Sequence, residues 1–350
     1  MKDEYMSHLY AEIHEQPDAI RRLLAEETEH IEAIAGAIRQ FDPAFVVIAA
    51  RGTSDNAARY AQYLLGIQAG LSVSLATPSV HTLYDAQPRL ARALVIGISQ
   101  SGHSADVRQV VEDAKAQGAL TLSLTNYVDS PLAQTTDHHI CLQAGEEKSV
   151  AATKTYTTEL VAIALLTQYI VQNDANIARI QQLPDDIRAT LAQAAKMGDW
   201  VQRYRYMEHV AVIGRGYNYA TAFEISLKIK ELCYIIGEEY SEADFRHGPI
   251  AIISQGFPVI AVAPTGKTYP LMMDLLEQLH EKNAECIVIS DDATARAQGI
   301  HAMTLPEQLP EWISPICAVL PGQLFAYHLA QAKGYDIDRP RGLNKVTVTR

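Results

Sequence analysis

The chain repeats itself at long range. A shift of 164 residues carries Arg51-Gly52 onto Arg215-Gly216, and the same shift carries Gly102 onto Gly266. Each of these loops follows a short apolar run, at 45–50 and 210–214 for the first pair and at 94–99 and 259–263 for the second. Matching offsets at two separate loops indicate an internal duplication. Continuous apolar runs of this length suit strands buried on both faces of a parallel sheet. Further strand candidates lie at 71–76, 93–98, 120–124 and 139–142, with helical patterns between most of them, notably 104–117. The expected fold class is therefore α/β, with two tandem doubly wound parallel-sheet domains.

This plan divides the chain into an N-terminal helical segment (1–40), a first sheet domain (41–180), a helical linker (181–205), a second sheet domain (206–335) and a C-terminal tail (336–350). Within the first segment, Pro17 reads as a break between helices. The 350 residues, 48% hydrophobic and 20% charged, are of ordinary globular composition. The longest apolar stretch, at 160–171, is too short to cross a bilayer, and the start Met1-Lys2-Asp3-Glu4 carries no apolar leader, so a cytoplasmic protein free of membrane is expected. Four scattered cysteines form neither a metal knuckle nor a disulfide frame, and free buried thiols are expected. A formal net charge of -12 excludes a general nucleic-acid binder. A small phosphate ligand remains compatible, since backbone N–H groups and hydroxyls can hold it. No metal site or cofactor is expected.

Ligands of open α/β sheets bind at the carboxyl ends of the strands. Two loops of the first half stand there, Arg51-Gly52-Thr53-Ser54 and Ser99-Gln100-Ser101-Gly102-His103-Ser104. The second opens a helix, whose N-terminus favours an anion, and its serines add hydroxyl donors. Alternatively, those serines only cap the helix. A dinucleotide fingerprint is missing, and Gly266-Lys267-Thr268 is an incomplete nucleotide loop because Ala261 stands where its first glycine belongs. A monophosphate fits better. The hydroxyl-rich stretch 145–158 reads either as a loop with a helix start or as a segment that closes over a ligand.

The helix expected over 219–236 carries Glu224, Lys228 and Glu231 at spacings of four and three, one above another. The stripe is either a solvated face of ion pairs or a base tuned by its lysine. Shortly after it, His247 precedes Gly248-Pro249 in a turn.

These motifs together resemble the sugar isomerase (SIS) domain pair of glutamine–fructose-6-phosphate aminotransferases, and more closely their stand-alone relatives, including hexosamine-phosphate deaminases. The resemblance runs from Glu15-Gln16-Pro17 to the tail and includes Ser149-Val150-Ala-Ala-Thr-Lys154, Arg246-His-Gly-Pro249 and Arg339-Pro-Arg-Gly-Leu-Asn-Lys345. It implies two flavodoxin-like SIS domains. It further implies that Ser99, Gln100, Ser101 and Ser104 grip a sugar phosphate, that Thr53 and Ser54 assist, and that Val150 touches the sugar. Glu231 matches the carboxylate that moves a proton between C1 and C2, and Lys228 an active-site lysine. His247 matches a ring-opening residue reached from a neighbouring subunit, so a homodimer is implied. Lys345 matches a tail lysine that forms a Schiff base with the open-chain ketose. Ser104 stands where the aminotransferases have threonine, and His103 replaces an acidic residue.

The chain enters directly at the isomerase half, so no glutaminase is expected. The resemblance then implies an aldosamine-6-phosphate deaminase/isomerase, foremost one converting glucosamine 6-phosphate to fructose 6-phosphate and ammonia. A phosphorylated-fructosamine deglycase or another phosphosugar isomerase is the alternative enzyme. A non-catalytic sugar-phosphate sensor is the alternative of another class.

Overall fold

A computed structural model describes residues 7–345. The first sheet comprises β1 (Phe45–Ala49), β2 (Val73–Leu75), β3 (Ala93–Ile98), β4 (Leu120–Thr125) and β5 (His138–Cys141), all parallel, in the order β2-β1-β3-β4-β5. The second comprises β6 (His209–Gly214), β7 (Ile236–Ser241), β8 (Pro258–Val262), β9 (Glu285–Ser290) and β10 (His301–Thr304), in the matching order β7-β6-β8-β9-β10. Even the register repeats. Ile48 pairs with Ile96 in the first sheet, and Val212 with Ile260, both shifted by the same 164 residues, in the second. The fold class is as expected: two α/β domains, each a doubly wound parallel sheet.

Both sheets bury their strands because helices cover their faces. In the first, Val47, Ala49 and Val95 pack with Val107, Val110 and Val111 of the helix Ala105–Ala116. In the second, Ala211, Ile213 and Val259 pack with Leu275, Leu276 and Leu279 of the helix Tyr269–Glu281. In each sheet the strand order reverses beside the first strand, between β1 and β3 and between β6 and β8. That reversal is the switch point at which open α/β sheets bind ligands.

The chain forms two compact units that are not consecutive in sequence. One holds the first sheet, with Glu15–Glu147, Ala152–Pro184 and the tail from Asn344. The other holds the second sheet, with Lys148–Ala151, Asp185–Leu343 and the segment up to His14. Two local readings are corrected. Pro17 does not break the N-terminal segment, because His8–Phe41 is one continuous helix with Pro17 inside it. Proline removes one N–H and so one hydrogen bond. Here the buried stripe Leu9, Ile13, Ile20, Leu23, Ile31, Ile34 and Ile38 outweighs that loss.

The second correction concerns apolar segments. The helix Ser314–Lys333 exceeds the stretch at 160–171, and with its lead-in from Glu311 it is apolar and long enough to cross a bilayer. Almost all of it is buried, as suits a core helix apolar on every side. The four cysteines are buried free thiols, as expected.

Gly322 sets how closely that core helix approaches the helix Tyr219–Cys233. A Cβ placed there would lie 2.3 Å from Ile225 Cγ1, inside any real contact. Gly322→Val should therefore destabilise by about 1–3 kcal/mol through overpacking, read as a lower urea midpoint. The double variant Gly322→Val with Ile225→Ala should recover part of the loss.

Candidate active site

In the first-sheet unit, the loops after β1 and β3 lie on either side of the switch point. Arg51 Nε donates to the buried Asp106 at 2.8 Å, which ties the loop after β1 to the helix after β3. Ser99 and Ser104 face each other with Oγ atoms 3.2 Å apart, and Gly102 N–H donates to Ser99 Oγ at 3.2 Å. His103 N–H donates to Ser101 Oγ at 3.3 Å. Ser104 occupies the N-cap position of the helix Ala105–Ala116, yet its side chain makes no capping bond. Capping therefore does not explain this hydroxyl.

Gly102 has φ +67°, and an added Cβ would fall 2.2 Å from Ser130 Oγ, so only glycine fits this turn. Gln100, Ser101 and Ser104 are half-buried, and Ser99 is buried. The loop thus presents hydroxyls beside the N-terminus of a twelve-residue helix, a chemistry suited to a phosphate. Thr53 is half-buried in the first turn of the helix Gly52–Gln68. Ser54 is buried and donates to Glu159 at 2.8 Å, so its proton is committed within the unit.

Lys345, the tail lysine, belongs to the same unit. Its Nζ lies 2.8 Å from Oε2 of Glu147, whose side chain is fully buried. Glu147 also accepts N–H bonds from Thr153 at 2.9 Å and Thr155 at 3.2 Å, and the Thr155 hydroxyl bond at 2.9 Å. Burial alone would push this carboxyl up. The charge and hydrogen bond of Lys345, with the two N–H bonds, outweigh burial and hold it below its ordinary range. The tail residues 346–350 lie outside the described residues.

The second-sheet unit carries the charged helix. Tyr219–Cys233 follows β6 and ends where Tyr234 turns left-handed at φ +56°. Lys228 is fully buried, with Nζ 2.6 Å from Glu231 Oε2 and 3.4 Å from Glu224 Oε1. Glu224 is buried as well, while 23% of the Glu231 side chain stays exposed. The stripe is therefore not a solvated face of surface ion pairs. Its lysine bridges two carboxylates in the interior, and only Glu231 reaches the surface.

His247 is exposed where the short helix Glu242–Arg246 ends, and the next residue, Gly248, has φ +137°. Val150 is half-buried in the segment Lys148–Ala151. That segment is held by Glu12, whose buried carboxylate accepts N–H bonds from Lys148 and Ser149 and the Ser149 hydroxyl bond.

Sequence reasoning missed Glu12 and Glu147. Neither belongs to a spaced cluster. The one available signal was their place beside quoted motifs, Glu12 just before Glu15-Gln16-Pro17 and Glu147 just before Ser149-Val150.

Two doubly wound sheets, one with a hydroxyl-lined loop at its switch point and the other with a buried ionic helix, define a class of small-molecule α/β proteins. The chain belongs to the SIS domain family, whose pattern matches residues 43–169 and 204–332. It is similar to the isomerizing glutamine–fructose-6-phosphate aminotransferase of Pyrococcus horikoshii, at 34% identity over 99% of this chain and 58% of that protein. The chain thus spans less than two thirds of that relative's length. Its fold matches the C-terminal domain of the glucosamine–fructose-6-phosphate aminotransferase of Francisella tularensis, with TM-score 0.84 and 28% identity, covering 97% of this chain and 99% of that one. It also matches a glucosamine-6-phosphate deaminase of Thermotoga maritima, with TM-score 0.81, 98% of this chain and 100% of that one covered, and 19% identity, a likeness of fold alone.

Glu147 gives a pH test. Its folded carboxyl titrates below the ordinary 4.5, so its stabilisation is complete above that value and lost as pH falls through the lower, folded value. Glu147→Gln should lower stability at neutral pH and flatten the acid limb of a stability-against-pH curve. An acid limb as steep as that of the parent would show that other carboxyls govern it.

Proposed function

We propose that this chain is an aldosamine-6-phosphate deaminase/isomerase, acting foremost on glucosamine 6-phosphate. The observation that carries the reading is the buried Glu224–Lys228–Glu231 stripe, in which only the Glu231 side chain is partly exposed. Desolvating an ion pair inside a protein can cost more than its mutual attraction returns, which favours a chemical role for the stripe. A carboxylate positioned at the surface of such a pair can act as a proton shuttle. The relatives named for isomerizing aminotransfer at fructose 6-phosphate support the substrate class.

In this reading Ser99, Gln100, Ser101 and Ser104 bind the phosphate with help from Thr53 and from Ser54, whose hydroxyl must first turn from Glu159, and Val150 touches the sugar. His247 assists ring opening. Glu231 then removes the proton from C2 of the open-chain aldose and returns it to C1, while Lys228 offsets the developing negative charge. The resulting imine at C2 is hydrolysed by water, giving fructose 6-phosphate and ammonia. An imine between the ketose and Lys345 requires that lysine to leave Glu147 and give up a proton. His247, exposed on its turn, is read as serving the site of a partner in a homodimer.

Purified protein should release ammonia from glucosamine 6-phosphate, and Glu231→Gln should reduce the rate at least about a hundredfold. Sugar-phosphate binding without release would favour the phosphorylated-fructosamine or sensor readings. A second test addresses the shared histidine. Mixed dimers of Glu231→Gln and His247→Ala chains should regain up to about a quarter of the parent activity, since half the dimers are mixed and each keeps one intact site. If His247 acts within its own chain, mixing restores nothing.

A further inference from the structure

The duplication poses a question that the proposed function leaves open. Two switch points exist, yet one phosphate is expected. The 164-residue shift carries the N-cap Ser104 onto Thr268, itself the N-cap of the thirteen-residue helix Tyr269–Glu281. It also carries Ser101 onto Thr265 and Gly102 onto Gly266. The second loop is therefore the structural copy of the first, on its own sheet.

The second loop, unlike the first, already holds anions. Glu311 accepts N–H bonds from Lys267 at 2.8 Å and Thr268 at 3.1 Å, and the Thr268 hydroxyl bond at 2.8 Å. Its carboxyl carbon lies where a Cβ on Gly266 would be, 2.3 Å away, so the absent side chain makes room for it. Asp291 accepts the Thr265 N–H bond at 2.7 Å and the Thr265 hydroxyl bond at 2.5 Å. Two internal carboxylates thus occupy the donors that a phosphate would need. In the first loop, among the described residues, the side-chain acceptors of the backbone N–H groups at 99–104 are the serines Ser99 and Ser101, and none is a carboxylate.

The shift also relates the two glutamates, since it carries Glu147 onto Glu311. Glu147 turns to Thr153, Thr155 and Lys345. Glu311 turns to the phosphate-type loop instead.

We propose that Glu311, seconded by Asp291, is a built-in anion that bars phosphate monoesters from the second loop and so limits each chain to one phosphosugar. A carboxylate with three donors and no loss of translational freedom outcompetes a dilute phosphate for the same N–H groups. Its negative charge also repels a dianion from the loop. The inference rests on the reading of the first loop as a phosphate site only for the total count. The increment between variants tests it separately.

The test is calorimetric titration with inorganic phosphate of the full chain, of Glu311→Ala and of Glu311→Ala/Asp291→Asn. The expected result is one more site per chain in the variants than in the parent, with the double variant binding more tightly than the single. Zero sites in the parent and one in the variants would sustain this proposal while removing the phosphate role of the first loop. An unchanged count in both variants overturns it, as does a parent that already binds two. Glu311→Gln, which keeps the side-chain shape, guards against misfolding. Phosphate should raise its melting temperature more than that of the parent, and equal shifts would count against the proposal.

Discussion

Where strand order reverses in a parallel sheet, two loops and the N-termini of their helices come together at one edge. The first backbone N–H groups of those helices have no partner within the helix and must find one elsewhere. The duplicated chain meets this demand twice and answers it differently. At the β1/β3 switch, hydroxyls line the loop, Ser99 faces Ser104, and Gly102 presses the turn against Ser130. At the β6/β8 switch, Glu311 and Asp291 supply the acceptors from within the same unit. The overall acidic charge of the chain is thus no bar to an anionic ligand, because what decides binding is which group occupies a few N–H bonds.

The helices that follow β1 and β6 diverged in the opposite sense. The shift places Glu224, Lys228 and Glu231 on Tyr60, Leu64 and Ile67. Tyr60 and Leu64 are buried, and Ile67 is exposed. The first copy therefore has an apolar stripe where the second has buried charges. Desolvating Lys228 and Glu224 costs several kcal/mol per ion before their mutual attraction is counted. An apolar stripe, as the first copy shows, satisfies the fold equally well. The ionic stripe is therefore not a requirement of the sheet or of the helix packing through Gly322 and Ile225.

Much of this was legible in the sequence, for a physical reason. Strands buried on both faces must be apolar throughout, so the runs at 45–50, 93–98 and 259–263 announce themselves, and β1, β3 and β8 fall on them within a residue or two. The loops were legible because glycine and serine after such runs serve few purposes. Pro17 misled because a local rule took no account of the long buried stripe on either side of it. The charged stripe stayed ambiguous because helical spacing reports which residues are neighbours on the helix, not what lies outside it. Glu12, Glu147 and Glu311 went unseen because each has partners far along the chain. Glu12 and Glu311 bond backbone 136 and 44 residues away in sequence, and Glu147 pairs with Lys345 across 198.

These three glutamates share one chemistry, in which a carboxylate accepts the N–H groups of a loop or helix start. Glu12 fixes 148–149, Glu147 fixes 153–155 and Glu311 fixes 267–268. Each bond satisfies donors that would otherwise need water or ligand, so each makes its segment less free to rearrange. The loop at 99–104 is the exception. The side-chain acceptors of its N–H groups, at Gly102 and His103, are short serine hydroxyls, which can turn from donor to acceptor about a single bond. A carboxylate ion accepts only, and it repels phosphate. A serine hydroxyl can donate to a phosphate that arrives and accept an N–H bond when it leaves. In the proposed reading it is this difference of side-chain acceptor, hydroxyl at one loop and carboxylate at the other, that leaves the first loop exchangeable and its duplicate fixed.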